Sequence, residues 1–187
     1  VLAFGAREVR SGNPSTPPRL SLKELNPSFK HFLAIVALFT LGNSSDAFLI
    51  LRAQERGLSL VGTLGMLIAF NLVYALVAGP AGALSDRLGR KRLILVGWTV
   101  YSMIYLGFAL AGEAWHIWGL FAVYGIYHGM FDGTARALVA DLVPPSKRGT
   151  AYGVYNAVSG LIALPASLLA GILWQGIGAP APFIAGA

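Results

Sequence analysis

Residues 93–111, between the basic Arg90-Lys91-Arg92 and Glu113, hold no charged side chain and no proline. A bilayer-spanning helix needs about 20 mostly apolar residues, and a soluble fold has few places for so long an uncharged stretch. Four more mostly apolar stretches are long enough to span: His31 to Leu51, Leu60 to Leu84, Trp115 to Val143 and Thr150 to Trp174. The first is interrupted by the polar Gly42-Asn43-Ser44-Ser45-Asp46. The second carries Asn71, with Gly79-Pro80 near its end, and the fourth carries His128, Asp132 and Arg136. Only 12% of the residues are charged and 56% are hydrophobic, against about 25% charged in soluble domains. The sequence therefore predicts an all-α integral membrane protein with five complete spans. A sixth begins near Pro182, so the chain reads as a piece of a longer one.

Residues 1–30 form the one extended polar region. Arg7, Arg10, Arg19, Lys23 and Lys30 lie there among four prolines, as in a basic linker. Val1 to Phe4 read as the tail of an earlier helix, too short and without the basic lead of a cleavable signal peptide. A net charge of +6 in a soluble chain would suggest nucleic acid. Here the basic residues follow topology instead. One side of the predicted spans receives those five, then Arg87, Arg90, Lys91 and Arg92, then Lys147 and Arg148, which makes eleven of the fourteen. The other side receives Arg52 and Arg56, and Arg136 lies within a span. The positive-inside rule places the richer side, linker included, in the cytoplasm of a plasma membrane of bacterial type. No nucleic-acid partner is expected. With no cysteine, neither a disulfide framework nor a thiolate site is available, and no metal or cofactor is expected.

The segment between the second and third spans reads Gly82-Ala83-Leu84-Ser85-Asp86-Arg87-Leu88-Gly89-Arg90-Lys91-Arg92. It resembles the signature loop of the major facilitator superfamily, Gly-x-Leu-x-Asp-Arg-x-Gly-Arg-Arg/Lys, at Gly82, Leu84, Asp86, Arg87, Gly89, Arg90 and Lys91. Its physics is coherent. Glycines permit close packing and a tight turn, Asp86 opposes the positive start of a neighbouring helix, and the basic groups stay among headgroups. An ordinary cytoplasmic loop would explain the Arg and Lys residues but neither Asp86 nor the glycines.

A second segment, Ala140 to Gly153, is similar to the turn between the fourth and fifth helices of a half in that family. Pro144-Pro145 closes the fourth span, while Gly149, Gly153 and Ala157 place a small-residue face on the fifth. Pro165 and Gly171 are expected to bend or loosen that helix. The resemblance covers about residues 30–187. It implies a half-domain built from two three-helix inverted repeats, and the basic linker ahead of it implies the C-terminal half. The substrate site of such a transporter lies between halves near the bilayer midplane, so the missing half, a small-molecule substrate and the bilayer are the expected partners.

Ionisable groups inside spans cost roughly 2.5–3.5 kcal/mol on insertion scales and need a reason. Asp46, with Asn43 beside it, makes the first span polar on more than one face, where the resemblance puts the cavity. His128, Asp132 and Arg136 recur every fourth residue and share one helix face. They are candidates for substrate or proton handling, set against an Asp132–Arg136 pair that neutralises itself within the helix. Gly125, Gly129 and Gly133 line an adjacent face and let another helix approach. Asp86, Arg90 and Asp141 form a separate group at the cytoplasmic end. The resemblance implies an ion-pair latch there, Arg90 to Asp141, that breaks during alternating access; simple loop anchoring is the plainer reading. Trp98, Trp115, Trp118 and Trp174 are candidate interfacial anchors, while Asn71, Tyr74, Tyr124, Tyr127 and Asn156 are candidates to touch the cavity.

A secondary transporter of a small solute working by alternating access, with proton coupling through Asp46 and Asp132, is the expected function. No P-loop, His-Glu-x-x-His or Gly-x-Ser-x-Gly sequence is present, and an enzyme is not expected. The competing reading is a scaffold or sensor that keeps the fold without transport.

Overall fold

The computed structural model describes residues 26–43 and 46–187, and within them every element is helical. Of the linker expected over residues 1–30, residues 1–25 lie outside the described residues, as do Ser44 and Ser45, while Pro27 to Lys30 belong to the first helix. The helices are α1 (Pro27–Gly42), α2 (Asp46–Glu55), α3 (Leu60–Leu88), α4 (Arg90–Leu110), α5 (Ala114–Asp141), α6 (Arg148–Gly176) and the short α7 (Ala181–Gly186). A 3-10 turn, Pro145–Lys147, leads into α6. Among the described residues, four stretches are long and apolar enough to cross a bilayer: Pro27–Glu55, Leu60–Leu88, Arg90–Leu110 and Pro145–Gly176. The 21 residues of α4 span about 31 Å at 1.5 Å per residue, close to the hydrocarbon thickness of about 30 Å. The remaining expected span, α5, has 28 residues, carries His128, Asp132 and Arg136, and is not among these four.

Local chemistry sets the helix ends. α1 begins at Pro27, ahead of the expected His31, because Asn26 caps it: its side chain accepts from the Ser28 N–H at 3.0 Å and proline suits the first turn. Ser59 caps α3 in the same way through the Gly62 N–H at 3.1 Å. The second helix was expected to end near Leu84, after Gly79-Pro80. It continues to Leu88 with Pro80 inside it, and α6 likewise runs unbroken through Pro165 and Gly171. The signature segment is therefore hardly a loop. Gly82 to Leu88 are helical, and Gly89 alone, at φ 91°, separates α3 from α4. Only glycine adopts that backbone conformation without strain.

Helix contacts in a membrane gain little from the hydrophobic effect and depend on close approach. Two of the three expected glycines supply it. A Cβ at Gly125 would stand 2.7 Å from the Phe70 carbonyl oxygen, and one at Gly129 would stand 2.9 Å from the Val77 Cβ, so α3 and α5 meet backbone to backbone. Gly133 faces open space, as do Gly82 and Gly149, and Gly153 and Ala157 are exposed. The small-residue face expected on the fifth span therefore has no described helix against it. α4 closes over the other side of α5 with a core of Tyr101, Tyr105, Phe108, Phe121, Tyr124 and Tyr127, all buried. At the end of the molecule that carries Arg87–Arg92 and Arg148, a second core joins Phe29, Phe32 and Val36 of α1 to Ile94, Leu138, Val139 and Ala151.

Candidate functional site

The interruption expected in the first span is a break between α1 and α2. A helix broken within a bilayer exposes backbone groups that need partners. The Asn43 N–H closes the end of α1 by bonding to the Phe39 and Thr40 carbonyls at 3.1 and 3.2 Å. Two tyrosines from other helices hold the side chains at the break. The Tyr105 hydroxyl of α4 donates to Asn43 Oδ1 at 2.8 Å, and the Tyr124 hydroxyl of α5 donates to Asp46 Oδ1 at 2.9 Å. Tyr105 and Tyr124 are themselves buried in the aromatic core. Asp46 is exposed at the first turn of α2, where the positive end of the helix favours a carboxylate.

On α5 the structure replaces one expected pairing with another. Asp132 Oδ2 lies 3.5 Å from His128 Nδ1, one turn back, and not against Arg136. The imidazole meets the rings of Phe70, Tyr124 and Tyr127 near-perpendicularly, at centroid distances of 5.6, 4.6 and 5.1 Å. Those rings confine it beside Asp132, so the contact is a charge pair whenever His128 carries a proton. Arg136 is exposed, and its carbonyl accepts from the Tyr152 hydroxyl of α6 at 3.2 Å. Tyr124 thus stands between Asp46, to which it is bonded, and His128, which pairs with Asp132. Asn71 is exposed and donates to the Leu67 carbonyl of its own helix. Asn156 is exposed and Tyr74 half-buried.

The basic end holds the second group. Arg90 bridges two carboxylates: its Nε lies 3.0 Å from Asp141 Oδ2 and its Nη2 3.4 Å from Asp86 Oδ1. Asp141 ends α5, Asp86 is on the last turn of α3 and Arg90 opens α4, so one guanidinium joins three helix ends. Arg87 and Lys91 are exposed beside it. Trp115 and Trp118 are exposed at the opposite end, as an interfacial anchor requires. Trp98 instead stacks on Phe39 and packs on Phe131, and Trp174 packs on Phe48 and Phe183.

Sequence reasoning placed Arg52 on a loop at the less basic end. It lies within α2 and is 1% exposed. Its Nε and Nη2 donate at 3.0 Å to the Phe108 and Ala109 carbonyls, and its Nη1 meets Glu55 Oε2 at 2.6 Å. The one local signal was the Arg52-x-x-Glu55 spacing; its other partners are 56 and 57 residues away.

An all-helical, membrane-length bundle with polar residues gathered at a helix break is the architecture of a membrane transport protein. The Major Facilitator Superfamily profile matches residues 29–187, and the chain belongs to that family of transporters. It is 39% identical over 180 residues to an uncharacterized MFS-type transporter of Methanocaldococcus jannaschii, a match covering 93% of this chain and 45% of the relative. It is 35% identical over 169 residues to the multidrug resistance protein MdtG of Proteus mirabilis, covering 82% of this chain and 40% of that protein. Multidrug resistance protein 3 of Bacillus subtilis is 35% identical over 115 residues, which is 59% of this chain and 22% of the relative. The chain spans less than half the length of these relatives.

Proposed function

We propose that the chain is the C-terminal half of a secondary transporter that moves a small solute by alternating access, its cavity completed by a second half. The observation that carries this reading is the broken helix α1–α2, which offers Asn43 and Asp46 at the break against tyrosines of α4 and α5. Discontinuous helices at the junction of repeats are where secondary transporters bind substrates and ions. In this reading Asp46, together with the His128–Asp132 pair, takes up and releases the coupling proton, and Arg136 faces the cavity from the same helix. Arg90, held between Asp86 and Asp141, latches the basic end in one state and lets go in the other. The excess of Lys and Arg at that end supports a cytoplasmic orientation in a plasma membrane, linker included. The multidrug resistance proteins among the relatives make drugs the first solutes to try.

The test is uptake and efflux in vesicles that contain the full-length protein, with and without an imposed pH gradient. Transport driven by the gradient, and lost in Asp46→Asn or Asp132→Asn protein that still inserts normally, is the expected result. Unchanged flux in both variants removes these carboxylates from the mechanism. A broad panel with no flux at all favours a scaffold or sensor built on the same fold.

A further inference from the structure

Arg52 is the one charged residue among the described residues with its side chain fully buried, and a buried guanidinium is retained only where its hydrogen bonds are met. Its partners have a common origin. α4 ends at Leu110, and the last carbonyls of a helix have no intrahelical donor. Arg52 supplies donors to Phe108 and Ala109 at 3.0 Å, with a longer contact to Ala111 at 3.4 Å. Its positive charge also sits at the negative end of the α4 dipole. Glu55, 43% exposed, holds the remaining nitrogen at 2.6 Å. A helix end is thus capped by a side chain from another helix, which fixes α2 to α4.

The cap bears on Asp46, six residues earlier on the same short helix. α2, with 10 residues, is a separate helix from α1, and its Leu49 and Ala53 are buried in the aromatic core. Two polar attachments fix its ends: Arg52 near the end of α2, and the Tyr124 hydroxyl on Asp46 at its start. We propose that Arg52 is a positioning residue, which by capping α4 holds α2 in the register that keeps Asp46 on Tyr124. The consequence for transport rests on the role proposed above for Asp46; the positioning itself does not.

Gln54 on α2 and Gly119 on α5 are exposed, and a Cβ at Gly119 meets open space. The chain has no cysteine. Spin labels on Gln54→Cys and Gly119→Cys in the full-length protein therefore report α2 against the helix that carries Tyr124. The expected result is one narrow distance distribution, broadened or shifted in Arg52→Gln. Arg52→Lys, which keeps the charge but has a single nitrogen for several carbonyls, falls between them and carries the comparison if the glutamine variant does not accumulate in the membrane. An unchanged distribution in the variants overturns the proposal.

Transport gives a second readout. If Arg52 acts by keeping Asp46 on Tyr124, the double variant Arg52→Gln/Tyr124→Phe transports as Tyr124→Phe does, within twofold. Effects that multiply show that Arg52 acts elsewhere, and overturn it. A full-length protein that moves no solute counts against the transport reading, while the label distances still decide the positioning.

Discussion

A hydroxyl that donates to a carboxylate makes a strong, directional hydrogen bond, and removing it leaves the acid free to turn. Tyr124 donates to Asp46 Oδ1 from a ring that is otherwise buried. Tyr124→Phe keeps the ring and deletes the donor, so solute flux is expected to fall several-fold, with little loss of protein from the membrane. Solute flux in vesicles checks this, and a flux equal to wild type removes the hydrogen bond from the transport step. Residues of this kind show where sequence reading reached its limit. Asp46 and Asn43 were legible, because polar groups inside an apolar span demand a reason. Their tyrosines were not legible as partners, since Tyr105 lies 62 residues from Asn43 and Tyr124 lies 78 from Asp46. Arg52 was misplaced for the same reason: nothing local announces that the end of α4 lies within reach. The Asp132–Arg136 pair went wrong differently. Spacing allows Asp132 to reach one turn either way, and the aromatic packing around His128 decides the direction.

Between elements, α3 and α5 carry the closest contact. The Phe70 carbonyl that a Gly125 side chain would strike is backbone, and backbone cannot rotate away as a side chain can. Overpacking of well-filled contacts costs typically about 1–3 kcal/mol. Gly125→Val is expected to destabilise the full-length protein by at least that much, while Gly133→Val, facing open space, is expected to be close to neutral. Thermal unfolding in detergent, read on both variants together, distinguishes a local clash from a general intolerance of valine in α5. The ion pairs at the basic end make the opposite case. Arg90 and Asp141 are 25% and 51% exposed, and pairs so open to solvent contribute about 0–1 kcal/mol. Asp141→Asn should therefore leave the unfolding temperature nearly unchanged. On the latch reading it nevertheless changes the transport rate several-fold, because a small bias is enough to shift two states of similar energy. A flux equal to wild type in Asp141→Asn reduces the contact to anchoring. Span length and the contacts of Gly125 and Gly129 were readable here because length and small residues are properties of the chain itself, whereas Gly133, Gly149, Gly153 and Ala157 have no described helix against them. The extent of α3 was not, since Pro80 and Gly79 punctuate soluble sequences more strongly than they interrupt a helix shielded by lipid and neighbours.

For the molecule as a whole, charge and apolar surface are arranged along different axes. Basic residues gather at one end, while Leu64, Ile68, Leu72 and Leu76 of α3 and Leu161, Leu164 and Leu168 of α6 remain exposed along its sides. A chain with this much uncovered leucine belongs in lipid or against further protein, and in membrane preparations it is expected to resist carbonate extraction. Orientation has its own test: a membrane-impermeant thiol reagent added to intact cells should label Gly112→Cys and spare Gly149→Cys. Labelling the other way round reverses the assignment of the cytoplasmic face. The corner between α3 and α4 sets one further limit. Connections between transmembrane helices are the usual place for a chain to accept extra length, whether from natural insertions or from an engineered tag. This one has Gly89 alone, with both flanking residues already helical and Arg90 tied to two carboxylates. Added residues would have to unwind a helix or break those pairs. Length variation among proteins built this way should accordingly collect at the opposite end, in the turns over residues 56–59, 111–113 and 177–180, and leave this corner fixed.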